Sequence, residues 1–230
     1  MTKLVTAFAV LVATERGLVD LDEPAGPPGA TVRHLLAHAS GLPFEGDETL
    51  ATPGTRRIYS NPGFDALGAL LADRAGASFE DVLRGWVLGP LGMTATTLVG
   101  RPSQGLHGPL ADFVAFAREC LEPTLVPAET FAAATAVAFP GLAGVVPGVG
   151  QFDPCDWGLG FELHDAKAPH WMAPSSSPAT FGHIGGAGTF LWVDPVAGLA
   201  TALLTVREYG PWALEAWPVF SEAVLDAARR

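Results

Sequence analysis

The chain has 230 residues, 49% of them hydrophobic and 16% charged, with a formal net charge of -11. That composition excludes a disordered chain, and the length is enough to bury a sizeable core in a single domain. An acidic balance without a basic run argues against nucleic acid and against an anionic membrane surface as partners.

The first element, Met1 to Leu21, reads MTKLVTAFAVLVATERGLVDL. Leu4, Val5, Phe8, Val10, Leu11 and Val12 make it apolar on nearly all sides, and Gly17 follows the polar Glu15-Arg16 pair. This predicts a buried helix over residues 2–16, stopped by glycine. Lys3 is the single cation at its N-terminal end, where burial would strip an ammonium of its proton. Two plainer readings compete. One is a secretion signal, but the apolar run passes into Thr14-Glu15-Arg16-Gly17 with no small-x-small cleavage site, and it is too short to span a bilayer. The other is a core helix whose lysine snorkels to solvent.

Thr31 is expected to cap a short helix, Val32 to Ala39, that Gly41 and Pro43 end. Its phrase is HLLAHASGLP. Ser40 lies there without a Gly-x-Ser-x-Gly elbow and reads as a turn residue, not a nucleophile. His34 and His38 are four apart, but no nearby carboxylate or third histidine supports a metal, and none is expected. Residues 44–57 read as a polar loop. In Tyr59-Ser60-Asn61-Pro62-Gly63-Phe64, Asn61 can cap the next helix and Pro62 fits its first turn. Tyr59 and Asn61 are two apart in extended chain, so both point one way. The plain reading is a helix cap behind a buried aromatic.

Further helices are predicted over 78–88 and 109–121, with a weak helical patch at 128–137 inside a Pro/Gly-rich stretch. Cys120 and Cys155 have no metal or redox spacing and are expected as free buried thiols; no cofactor is implied. After residue 156 the period changes to two. Trp157 to Leu163, Gly188 to Val193 and Leu199 to Val206 are predicted strands, with a turn at Asp194 to Gly198. Before them, His183 precedes Gly185 and Gly186, whose backbone N–H groups a ligand could approach. Pro211 to Arg229 reads as a closing helix.

Taken together these pieces resemble the serine β-lactamase and penicillin-binding-protein superfamily, nearest to its class C β-lactamase-like hydrolases and esterases. The signatures there are Ser-x-x-Lys, Tyr-x-Asn, and Lys-Thr-Gly or His-x-Gly. Here they stand as Met1-Thr2-Lys3, with the serine falling one position ahead of Met1, as Tyr59-Ser60-Asn61, and as His183-Ile184-Gly185. GLVDLDEP, DWGLGFEL and FGHIGGAGTFLWVDP are similar too, so the resemblance covers nearly all of the chain.

The resemblance implies an α/β fold of α+β type, an antiparallel sheet flanked by helices with a helical lobe. That lobe would span roughly 25–155 and the sheet lobe roughly 156–230 plus helix 2–16, in one domain of residues 1–230. It implies a serine that is acylated by an ester or amide, and Lys3 and Tyr59 sharing the general-base role, each with a lowered pKa. Asn61 would hold the lysine or the substrate, and His183 would stand where many relatives carry lysine. Gly185 and the Gly186 N–H would serve substrate and oxyanion binding. The expectation is then a chain that starts just after its own nucleophile, lacks the family's N-terminal strands and is inactive alone. The alternative is a catalytically dead relative that binds acyl ligands or a protein partner. An open edge at 199–206 would favour a homodimer, and the signal-less, nearly Cys-free chain a cytoplasmic location.

Overall fold

The computed structural model describes residues 1–229. Its first element is the expected buried helix, α1 (Thr2–Glu15), with every residue from Thr2 to Ala13 buried. Gly17 ends it in the left-handed region at φ 67°, and Leu18 N–H donates back to Ala13 O. α2 (Val32–Leu36) stops earlier than the sequence pattern suggests. The chain turns at His38, whose φ is +53°, and this carries the His38 ring beneath Tyr59, 4.4 Å between centroids.

β1 (Arg57–Ile58) leads into α3 (Asn61–Ala75). The cap of α3 is Ser60, not Asn61 as the sequence suggested: Ser60 Oγ accepts from Gly63 N–H at 3.1 Å. With the cap supplied by its neighbour, the Asn61 side chain is released for another use. α4 (Phe79–Leu83) runs on into one π-helical turn at Arg84–Leu88. A hairpin follows, β2 (Thr97–Arg101) and β3 (Gln104–His107), then α5 (Leu110–Leu121) and α6 (Ala128–Ala134). β4 (Gly144–Val146) pairs parallel with β1 and antiparallel with β5 (Gly150–Phe152). These five strands have two to five residues each, too few for alternation to show in the sequence. Arg57 ties this region together, its guanidinium donating to the carbonyls of Cys155, Ala37, Ala138 and Phe139.

The main sheet is antiparallel, in the order β6 (Glu162–Leu163), β7 (Phe181–Gly185), β8 (Thr189–Asp194) and β9 (Leu199–Leu203). The predicted strand from Trp157 shrinks to Glu162–Leu163. Gly160, at φ +91°, folds the preceding residues onto α1, so close that a Cβ there would sit 2.1 Å from that of Ala7. Alternation along β8 assigns the layers. Leu191 and Val193 join the core around α1, α3 and α5, while Phe190 and Trp192 pack in a second cluster with Trp171 of the loop before β7 and with Trp217 on the closing helix α7 (Pro211–Ala228). The sheet thus lies between helices on both faces, the layering expected for this α+β class. Cys120 and Cys155 are free and buried. No helix among the described residues is long and apolar enough to cross a membrane.

Candidate active site

Where α1 begins, the edge of the main sheet, the start of α3 and the β2–β3 hairpin enclose a cleft of about 860 Å³. Lys3 enters it from the first turn of α1, Tyr59 and Asn61 from the turn into α3, and His183 from β7. Gly185 ends β7, and Gly186 lies exposed in the turn to β8, where its N–H meets no backbone acceptor among the described residues. All six residues singled out in the sequence line this one cleft. The side chain of Tyr59 and that of Asn61 do share a direction, because residue 60 between them is extended at φ -135° and ψ 122°.

Lys3 is only 4% exposed. Its Nζ donates to Asn61 Oδ1 and, at 3.0 Å, to Ser103 O, and it sits 4.7 Å from the centre of the Tyr59 ring. The Ser103 carbonyl is brought there by close packing: a Cβ on Gly68 of α3 would lie 2.1 Å from the ring of Pro102. Burial lowers the Lys3 amine from its usual value to about 7, against the opposing charges of Asp65 and Glu45. The amine is thereby brought close to neutrality, where it exchanges its proton readily.

Tyr59 departs from its expectation. Its pKa is raised, not lowered, because burial and then the nearby charge of Glu162 both disfavour a phenolate. The phenol keeps its proton at neutral pH. His183 is held well below its ordinary value, chiefly by burial, and is neutral at pH 7. Its Nδ1 faces the carbonyl of Ile184, which can only accept, so Nδ1 carries the ring proton and Nε2 is free to accept. Tyr59 Oη lies 3.4 Å from that Nε2 and donates to it.

Other residues complete the site without any spacing that marks them. Ser103 acts through its backbone. Asn61 Nδ2 donates to Glu45 Oε1 at 2.7 Å, and Arg101 bridges Glu45 at 2.9 Å and Asp65 at 3.2 Å. His38 accepts from Ser60 N–H through Nδ1 at 3.0 Å and supports Tyr59 from below. Its partner in the sequence, His34, faces elsewhere, against Thr31 and Phe139.

Fold and cleft together define a β-lactamase/transpeptidase-like protein. A family model described as Beta-lactamase matches residues 1–223, and the chain belongs to that family. The crystal structure of a beta-lactamase (Mb2281c) from Mycobacterium bovis superposes with a TM-score of 0.96 at 50% identity, covering 99% of this chain and 85% of that one. D-alanyl-D-alanine-carboxypeptidase/endopeptidase AmpH of Escherichia coli (strain K12) is 28% identical over 141 residues, 45% of this chain and 37% of that protein. Penicillin-binding protein 4* of Bacillus subtilis (strain 168) is 25% identical over 134 residues, 44% of this chain and 30% of that protein. The chain thus matches about a third of the length of these curated relatives.

Proposed function

We propose that the protein hydrolyses ester or amide bonds through an acyl-serine intermediate, with the serine directly ahead of Met1. The observation that carries this reading is the buried Lys3 amine in the first turn of α1, facing Asn61, Tyr59 and the end of β7. A residue three places before Lys3 lies one helical turn back, on the same face. Chain entering α1 also runs beside the oxyanion candidates, since a Cβ on Gly185 would stand 3.5 Å from Met1 N.

The steps follow from these groups. Neutral Lys3 takes the serine proton as the hydroxyl oxygen attacks the substrate carbonyl carbon. The oxyanion formed is held by the Gly186 N–H and that of the serine. The tetrahedral intermediate collapses, the bond to the leaving group breaks, and the leaving oxygen or nitrogen takes its proton from the Lys3 ammonium. Water then repeats the sequence on the acyl-serine, with Lys3 again the base, and releases the acid.

The charge of the cleft favours neutral substrates. Among the described lining residues Lys3 is shared between Asn61 and the Ser103 carbonyl and brought near neutrality by burial, His183 is neutral, and Arg101 is held by Glu45 and Asp65. No fixed, unshared cation is left to receive the carboxylate of a penicillin. The protein carrying its serine is therefore expected to show at least about tenfold higher kcat/KM for short p-nitrophenyl esters than for penicillins, the weight of one charge-assisted hydrogen bond. Measuring the two substrate classes side by side tests it, and a preference for the β-lactam would defeat the argument.

Strand β9 is the last in its sheet and has no second strand partner among the described residues. Its five residues are half-buried, four of them apolar, and none is charged. Such an edge pairs readily with another chain. Residues 1–230 alone are expected to self-associate through 199–203, and a Thr201→Pro variant to reduce that association, because proline removes an N–H from the strand. Light scattering after size exclusion measures it; a monomer that melts cooperatively would show that the edge is not sticky.

A further inference from the structure

The Asn61 side chain has two chemically opposite faces, and the structure presents each with a charge of matching sign. Its Oδ1 accepts from the Lys3 amine, and its Nδ2 donates to Glu45 Oε1 at 2.7 Å. Turning the amide over would set its carbonyl oxygen against the Glu45 carboxylate and take the oxygen away from the Lys3 N–H, so both of the observed hydrogen bonds would be lost. Glu45 is not a free surface carboxylate. Arg101, reaching across from β2, donates to Oε1 at 2.9 Å and to Oε2 at 3.4 Å, and also pairs with Asp65 on α3 at 3.2 Å. Hydrogen bonds from Arg101 and then Asn61 hold the Glu45 carboxyl below its ordinary range and keep it ionised. Asp65 in turn accepts from Ser103 N–H at 3.0 Å, and Ser103 O is the second acceptor of Lys3. A closed ring of polar contacts therefore runs from Lys3 out to the loop and back.

We propose that Glu45 is a positioning residue, which locks the Asn61 amide with its oxygen towards Lys3 and, through Arg101, ties that orientation to the β2–β3 hairpin. The proposal rests on reading Lys3 and Asn61 as catalytic groups. Glu45 itself lies outside the lining of the cleft and touches no reacting atom. Its contribution is to stop the amide from flipping, which would deprive the amine of an acceptor.

The composition supplies an unusually direct test. Asn61 is the only asparagine in the chain, and Lys3 and Lys167 are the only lysines. Protein labelled with ¹⁵N-asparagine therefore gives a single side-chain NH₂ pair by NMR, and ¹³C-lysine gives two side chains to follow against pH. In Glu45→Ala the Asn61 NH₂ protons are expected to exchange with solvent at least about tenfold faster than in the parent, because they lose the acceptor that protects them. In Glu45→Gln the side-chain oxygen still accepts from Asn61, and exchange is expected to stay near that of the parent. Lys3 faces Glu45 from the loop, Asp65 from α3, Arg101 from β2, Tyr59 and the neutral His183. Both variants remove one carboxylate charge from that set, so the Lys3 midpoint is expected to move down in both. Parent-like exchange and a parent-like Lys3 midpoint in Glu45→Ala would overturn the proposal, as would equal loss of protection in Glu45→Gln. Glu45 is exposed, so both variants should fold, and a thermal melt checks it. The readouts need no turnover. A chain that shows the lock yet never hydrolyses an ester once its serine is present would sink the hydrolase reading and leave the lock standing.

Discussion

Placing a serine directly ahead of Met1, with its upstream segment, is expected to raise p-nitrophenyl ester turnover by on the order of 10⁶ over residues 1–230 alone, the usual effect of losing a nucleophile. The reason is local. Lys3 Nζ is hydrogen-bonded to an amide oxygen and a backbone carbonyl, and to no hydroxyl. Of the hydroxyls around the cleft, those of Ser60, Thr2 and Ser40 are engaged with backbone N–H groups, and that of Ser103 is buried without a partner. Ser60 caps α3 through Gly63, and Thr2 Oγ1 accepts from Leu106 N–H at 3.1 Å. Ser103 faces Lys3 with its carbonyl, and Ser40 Oγ serves its own turn with Leu42. Lys3→Ala in the serine-bearing protein is expected to remove most of the gain, roughly 10³-fold, because the base is lost while the oxyanion site remains. Stopped-flow release of p-nitrophenol under acylating conditions measures both. If residues 1–230 turn over within about tenfold of the serine-bearing protein, a nucleophile exists inside the chain. If neither protein turns over, the cleft is a binding site without chemistry.

The second large effect is on stability, and its sign follows from Lys3. In the unfolded chain its amine titrates at the ordinary lysine value; in the fold, burial brings it to about 7. Between those two values the unfolded state holds the proton and the folded state does not. Unfolding then takes up a proton, so stability rises with pH across that window. From pH 6 to 9 Lys3 should add about 2.5 kcal/mol, from roughly two units at 1.36 kcal/mol each. Above pH 9 the trend is opposed by Cys155, raised by burial to about 11, and by Cys120 and Tyr59, also raised by burial. These groups hold protons in the fold that the unfolded chain has released. Lys3→Met should flatten the rise between pH 6 and 9 and be more stable than the parent at pH 6, since the cost of burying a charge is gone. Urea melts at the two pH values decide it, and an equal pH slope in parent and variant would mean the amine is not desolvated. A residue that costs stability where it sits is the usual mark of a group kept for chemistry.

Much of this was legible before any coordinates. The all-round apolar run after Lys3, weighed against a secretion signal and a snorkelling lysine, read as a buried helix, and the fold has one there. The period-two stretches Thr189–Asp194 and Leu199–Leu203 could only be strands, because alternate residues had to face two different layers. The pairing of Lys3, Tyr59, Asn61 and His183 came from a motif order whose parts are 56 and 124 residues apart around Tyr59; the chemistry of each side chain was visible, their distance was not. Composition gave a globular chain, and the resemblance of its motifs to a known superfamily implied the fold class and the residues that meet. Tertiary structure alone decided their charge states. Tyr59 looked like a base, but a pKa is set by what surrounds a group, and burial with Glu162 nearby leaves it a proton donor. Asn61 looked like a cap until Ser60 took that position and Glu45, in a loop with no pattern to mark it, took the amide. Local propensities act over a few residues and are written along the chain. The electrostatics of a cleft depend on distances between segments that only folding brings together.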